Sequence, residues 1–202
     1  MAVDRRAAER ALAEFLRALG HDPHSDPELA ETPARATEAF AVDLLAGYAV
    51  DVRELIASGS SPLAARPGAR HGIVAVRDIG VAAVCPHHLL PALGTACVAY
   101  RPGDRLLGLG VIARLVDAFA RRLTMQEAIG ERVVEALLED AGALGAYCAI
   151  DLTHSCLSAR GARQQAASVR TVARGGDLAT AEAVPELAFA LAHSDSSRSP
   201  AP

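Results

Sequence analysis

Lysine and tryptophan are both missing from the chain. All 20 basic residues are therefore Arg, and against 24 acidic residues they leave a formal net charge of −4. This balance argues against a general nucleic-acid footprint, so any polyanion has to be met locally. Aromatic residues amount to 3%, too few for the stacking platforms that bind single-stranded nucleic acid. Long apolar runs are missing as well. Although 51% of the 202 residues are hydrophobic, much of that is Ala, and no stretch approaches the roughly 20 residues of a bilayer-crossing helix. The opening Met1 to Arg17 mixes Asp4, Arg5, Arg6, Glu9 and Arg10 with its apolar positions, unlike a secretory signal. The expectation is a soluble, cytoplasmic protein with neither a nucleic-acid nor a membrane partner. Its length suits one domain, or one with an appended helical segment.

Cysteines number only four: Cys85, Cys97, Cys148 and Cys156. In a reducing compartment these favour metal ligation or burial over disulfides. Cys97 and Cys148 sit within apolar strand-like runs and read as core.

The residues present divide the chain into segments. Ala8, Leu12, Phe15, Leu16 and Leu19 recur at three- and four-residue steps, predicting a helix over Val3 to Leu19 that stops at Gly20. A second helix is expected from Thr32 as N-cap, with Pro33 at the first helical position, to about Ala46. This N-terminal helical segment covers 1–56, and the Ser, Gly and Pro of 57–71 read as a loop. From Gly72 the runs Ile73 to Val84 and Leu93 to Tyr100 read as strands joined through Cys85-Pro86-His87-His88. Ile112, Leu115, Val116, Phe119 and Leu123 then line one helical face, with Asp117 and Arg121 at ion-pair spacing. Another helix carries Ile129, Val133, Leu137 and Leu138 and ends at the glycines Gly142 and Gly145. Ala146 to Leu157 and Gln165 to Ala173 complete a strand-strand-helix-helix-strand-strand order over 72–176, which is α+β. The extension 177–202 holds a weak helix, Leu178 to Leu191, and a Ser/Pro-rich end, Asp195 to Pro202, that composition predicts to be disordered.

Cys85 and His88, separated by two residues at a strand end, let one turn aim a thiolate and an imidazole at a single ion. By themselves they are a weak sign, and most such pairs are a small buried hydrophobe and a surface His. Cys156, near the end of a later strand, can add a third ligand. Two Cys and one His leave zinc's fourth position to water, the pattern of a hydrolytic site. His87 and His154 flank these residues and suit proton transfer near neutral pH. Thr124-Met125-Gln126-Glu127 matches a capping box, in which Glu127 returns a bond to the Thr124 backbone. Alternatively, the Glu127 carboxylate accepts two N–H bonds from an edge such as that of guanine.

Five motifs in register resemble the GTP cyclohydrolase I family: Glu31-Thr32-Pro33-Ala34-Arg35, Cys85-Pro86-His87-His88, Gly108 through Arg114, Arg121 through Glu127, and His154-Ser155-Cys156 through Arg160-Gly161. The resemblance spans roughly Glu31 to Gly175. It implies the tunnelling fold, a four-stranded antiparallel sheet with two helices in β-β-α-α-β-β order behind N-terminal helices. It also implies homo-oligomeric rings that pair, usually as a decamer, with active sites at subunit boundaries. Residue by residue it implies Cys85, His88 and Cys156 as ligands of Zn2+, His87 and His154 as catalytic, and Gln126 and Glu127 as holding the purine. Arg35, Arg114 and Arg160 match positions that grip the triphosphate of GTP. In the implied reaction His154 protonates N7, hydroxide supplied at the zinc attacks C8, formate is released, and the ribose rearranges to give 7,8-dihydroneopterin triphosphate. Pterin and tetrahydrofolate biosynthesis is the implied setting.

The chain departs from that pattern at Val111 and Glu38, where Lys is usual, at Gly110, where Ser is usual, and at Pro86, where an acid is usual. Two lost cations and one gained anion weaken the attraction for a triphosphate. Two further readings therefore stand beside the first. One is a paralogue that takes a less phosphorylated guanine nucleotide or stops at a ring-opened product. The other is a catalytically silent ring-forming partner with structural zinc.

Overall fold

The structure is a computed structural model that describes residues 3–64 and 71–192. The first helix, α1 (Arg5–Ala18), starts where the Asp4 carboxylate accepts the Ala7 N–H at 3.0 Å, and it stops before Gly20 at φ +89°. It packs on α2 (Thr32–Glu38), in which Pro33 occupies the first turn at no cost in hydrogen bonds. Thr32 is the first helical residue and Glu31 precedes it as the cap, without a side-chain capping bond. The helix expected to reach Ala46 changes character at Ala39. Residues Ala39–Leu44 form a π-helical turn closed by Leu45 N–H to the Phe40 carbonyl, and Ala46–Ala49 are 3-10 helical. Gly47 is required there because a Cβ would lie 2.3 Å from the Ala118 carbonyl oxygen.

Part of the expected 57–71 loop is ordered secondary structure. Helix α3 (Val52–Ser58), capped by the Asp51 carboxylate on the Glu54 N–H at 3.0 Å, runs past 56, and β1 (Ser60–Pro62) follows it. Three residues are too few to show alternation, and their partner, β4 (Arg105–Leu107), lies some forty residues away, so nothing local marks them.

The main sheet has the order β2 (Val74–Val84), β3 (Pro91–Arg101), β5 (Gly145–His154), β6 (Val169–Gly176), all neighbours antiparallel. Helices α4 (Leu109–Ala120) and α5 (Gln126–Glu139) cover one face. Side chains of Val98, Tyr100, Cys148, Ile150 and Leu152 meet Ile112, Leu115, Val116, Ile129 and Leu137 there, all buried. Each large aliphatic chain removed from water contributes roughly 1.5–3 kcal/mol. This buried layer is a rigid floor for the sheet end. The Tyr100 hydroxyl accepts the Leu107 N–H at 2.9 Å, fastening β4 to the core.

On the opposite face, the 3-10 turns after β6 and α7 (Val184–Leu191) lay Leu178, Ala183 and Leu187 over Ala99. Buried Arg101 ties this cover down, meeting Asp177 at 2.9 Å, Glu186 through Nη1 at 3.2 Å, and the His71 carbonyl at 2.6 Å. Cys148 is core as expected, whereas Cys97 is half-buried on this second face. The strand expected to reach Leu157 ends at His154, and α6 (Ser155–Ser158) turns the chain away. β6 starts and ends a few residues later than expected. The expected disorder of Asp195 to Pro202 lies outside the described residues. No helix among the described residues is long and apolar enough to cross a membrane.

Candidate active site

Strand register brings the site together. Val84 pairs with Pro91, so residues 85–90 form the turn of the β2–β3 hairpin, and Ala92 pairs with His154, so the end of β5 lies beside that turn. The turn is closed by Leu89 N–H to the Cys85 carbonyl and Cys85 N–H to the Leu90 carbonyl, each 2.9 Å. Leu89 adopts φ +54°, a region a Leu side chain disfavours, which holds the turn tightly bent. The short helix α6, braced by the Ser158 hydroxyl on the His154 carbonyl at 3.2 Å, carries Cys156 back toward the turn.

The ligand atoms of Cys85, His88 and Cys156 lie within 4.8 Å of one another. Cys85 Sγ and His88 Nδ1 are 3.5 Å apart. A tetrahedral zinc with ordinary Zn–S and Zn–N bonds has ligand–ligand edges of roughly 3.5–3.8 Å, so Cys85 and His88 already stand at such an edge and the trio's donor types suit that ion. Loss of water around Cys156 pushes its thiol up, and Cys85 adds to this as hydrogen-bond partner and as a like charge, while Arg160 pulls the other way.

The three residues open onto a cavity of about 320 Å³ that is also lined by His87, His154, Gln126 and Glu127. His87 Nδ1 is 4.0 Å from Cys85 Sγ, and the two histidine rings of the turn meet edge to face. Glu127 is exposed on the cavity wall in the first turn of α5. The capping box is not formed: Met125 is the cap residue and makes no side-chain capping bond, which puts Glu127 one position too early to reach back to Thr124. Gln126 is only 5% exposed. Its Nε2 donates to the Ile150 carbonyl at 2.8 Å and to the Val169 carbonyl at 2.9 Å, and its Oε1 is 2.8 Å from His154 Nε2. The sequence offered no sign of those two carbonyls, because backbone acceptors carry no residue identity.

The three arginines expected at the phosphates are exposed. None lines this cavity among its described residues. Arg35 is paired with Glu31 on α2, Arg114 Nε donates to the Gly110 carbonyl at 3.2 Å, and Arg160 is exposed beyond α6. Of the departures, Val111 is 3% exposed and belongs to the core, while Glu38 is ion-paired with Arg5 at 2.8 Å.

An α+β unit whose sheet end gathers a Cys-His-Cys group beside two further histidines and a carboxylate belongs to the class of proteins with a candidate metal-centred hydrolytic site. Comparison narrows the class. The family model for GTP cyclohydrolase I matches residues 8–193. A GTP cyclohydrolase 1 of Leifsonia xyli subsp. xyli is 39% identical over 184 residues, 91% of this chain and 93% of that protein. One of Allorhizobium ampelinum is 36% identical over 87% of this chain and 85% of its own, and one of Campylobacter jejuni subsp. doylei is 35% identical over 92% and 94%. Among solved structures, the apo archaeosine synthase QueF-Like matches 52% of this chain and 94% of its own, at 16% identity and a TM-score of 0.43. The chain belongs to the GTP cyclohydrolase I family.

Proposed function

We propose that the protein is a zinc-dependent GTP cyclohydrolase I, with residues 72–176 carrying the chemistry. It opens the guanine imidazole ring of GTP by hydrolysis, releases formate and forms 7,8-dihydroneopterin triphosphate for pterin and tetrahydrofolate biosynthesis. The observation that carries the reading is the meeting of Cys85, His88 and Cys156 with His87, His154 and Glu127 in one cavity. Zinc held by two thiolates and an imidazole supplies water that is nucleophilic near neutral pH.

The remaining work falls to the chain's own groups. Glu127 accepts the N1–H and 2-amino hydrogens of guanine, a charge-assisted pair that orients the base in the cavity. His154 gives a proton to N7, which draws electrons from C8 and prepares it for attack. His87, at the other side of the thiolate turn, moves the proton released by the attacking water. Cys85 and Cys156 have to stay reduced for this, the state a cytoplasmic address maintains. β2 and β6 are the two edges of the sheet, and joining them between copies into paired rings, a decamer, hides their open backbone groups. Such a boundary is where Arg35, Arg114 and Arg160 reach the triphosphate.

A second reading, a guanine nucleotide with fewer phosphates or arrest at a ring-opened product, is favoured by the lack of an arginine among the described residues that line this cavity and by the burial of Val111. Zinc-loaded protein incubated with GTP, GMP and guanosine decides between them, with formate and pterin fluorescence followed separately and products weighed by mass spectrometry. Equal yields of formate and pterin from GTP support the first reading. Formate without pterin, or preference for GMP, supports the second, and no formate from any of the three removes both.

A further inference from the structure

Gln126 occupies a place that a substrate-holding side chain does not need. It is buried, it opens α5, and all three of its side-chain hydrogen bonds are made inside the protein. Its amide group cannot be turned over: the flipped form would set Oε1 against two carbonyl oxygens, those of Ile150 and Val169. Nε2 therefore faces the two carbonyls, both of its hydrogens are engaged, and Oε1 faces His154. An amide oxygen only accepts. The ring nitrogen 2.8 Å away, His154 Nε2, must be the donor.

We infer that Gln126 is a positioning residue that fixes the tautomer and orientation of His154, so that Nε2 always carries hydrogen and Nδ1 is the nitrogen that exchanges protons with the substrate. The inference rests on the proposed role of His154 as the proton donor in the cavity. Its physical basis is that an imidazole free to choose its tautomer presents the correct nitrogen only part of the time, and a ring free to rotate presents it at the wrong angle. The two backbone carbonyls come from neighbouring strands, β5 and β6, so Gln126 also couples the aim of His154 to the sheet itself. Glu127, one residue on, remains exposed to hold the base. Adjacent side chains at the start of one helix thus divide the work, one toward the substrate and one toward the acid.

Solid-state 15N spectra of histidine-labelled, zinc-loaded protein without nucleotide read the tautomer directly, with the His154 signals assigned by their loss in His154→Ala. The expected result for the neutral ring is hydrogen on Nε2 and a bare Nδ1. In Gln126→Met, which keeps the bulk and loses the acceptor, the bare nitrogen is expected to distribute over both positions. On that variant kcat is expected to fall about 10- to 100-fold, as for other supports of a reactive imidazole, with KM for GTP within about twofold. Hydrogen on Nδ1 in the unaltered protein overturns the inference, and does so even if Gln126→Met does not fold. An unchanged tautomer in folded Gln126→Met, or a raised KM with kcat intact, overturns it too. Absence of formate from the unaltered protein instead counts against the proposed reaction, while the tautomer is still decided by the spectra.

Discussion

The Cys85–His88 turn and the His154–Cys156 segment meet in one cavity, whereas Arg35, Arg114 and Arg160 are exposed and absent from its described lining. The difference is one of support. The converging residues hang from paired strands, where Val84↔Pro91 and Ala92↔His154 leave little freedom in where the turn and the strand end can be. The arginines sit on helices and a loop, and Arg35 and Arg114 have local partners that hold them when no anion is present. The side chains of the cavity are therefore gathered by the fold of one chain.

The strongest way to break this contrast is to remove a sulfur. Cys85→Ser and Cys156→Ser are each expected to lose the metal and at least about 10³-fold in formate release, since the metal supplies several kcal/mol of the barrier. Elemental analysis alongside the rate checks this, and an unchanged metal content with full activity would refute the assigned trio. His154→Ala should keep the metal and lose about 10²–10⁴-fold in kcat, the usual share of a positioned proton donor. If metal and rate fall together in that variant, His154 belongs to the ligand set and not to proton transfer.

How far the sequence foretold this arrangement differs between the two halves in the same way. The order of strands and helices follows from periodicity: the α4 face of Ile112, Leu115, Val116 and Phe119 is buried as its spacing demanded, and Asp117 pairs with Arg121 at 2.7 Å. The convergence of Cys85 with Cys156 needed a neighbouring-strand assumption that the β3–β5 register now satisfies. Other features left no local trace. The β1–β4 pair is joined over a long separation, and the π-helical turn at Ala39–Leu44 substitutes for a helix that composition alone would have continued. Thr124 looked like a cap because its type and its spacing to Glu127 were right, yet the backbone starts α5 one residue later. Val111 read as a lost cation, and only packing reveals it as a buried contact of Gly59, where a Cβ would lie 2.1 Å from Val111 Cγ2.

Smaller effects sharpen the comparison. Glu127→Gln removes a charge-assisted acceptor and is expected to raise KM about 10- to 100-fold for GTP and guanosine alike, with kcat changed less. Arg114→Ala and Arg160→Ala should act only on the phosphorylated substrates. Exposed charges of this kind are worth about 0.2–1 kcal/mol, so KM for GTP rises by a few fold and the effect shrinks as salt is added. An equal effect on guanosine would place these arginines at the base and erase the distinction between the two halves.

The least effect is expected from a thiol that belongs to neither half. Cys148, fully buried between β5 and the helices, has its thiol pushed up from an ordinary 9.0 to about 12, first by burial and then by the neighbouring Cys97. The unfolded chain then releases this proton at lower pH than the folded one. Its contribution to stability is complete below pH 9 and is lost as pH rises toward 12, by at most about 1.4 kcal/mol per unit for one group. Burial also raises Cys97, Tyr100 and Tyr147, which act in the same direction. Urea midpoints from pH 8 to 11 should therefore fall for the unaltered protein and fall less for Cys148→Ala. That variant starts about 1 kcal/mol lower because it leaves a small cavity, so its curve approaches the other on the alkaline side. Parallel curves would mean that Cys148 titrates in the folded state as an exposed thiol does, and the dry layer that braces the strands under the cavity would have to be more open than its packing indicates.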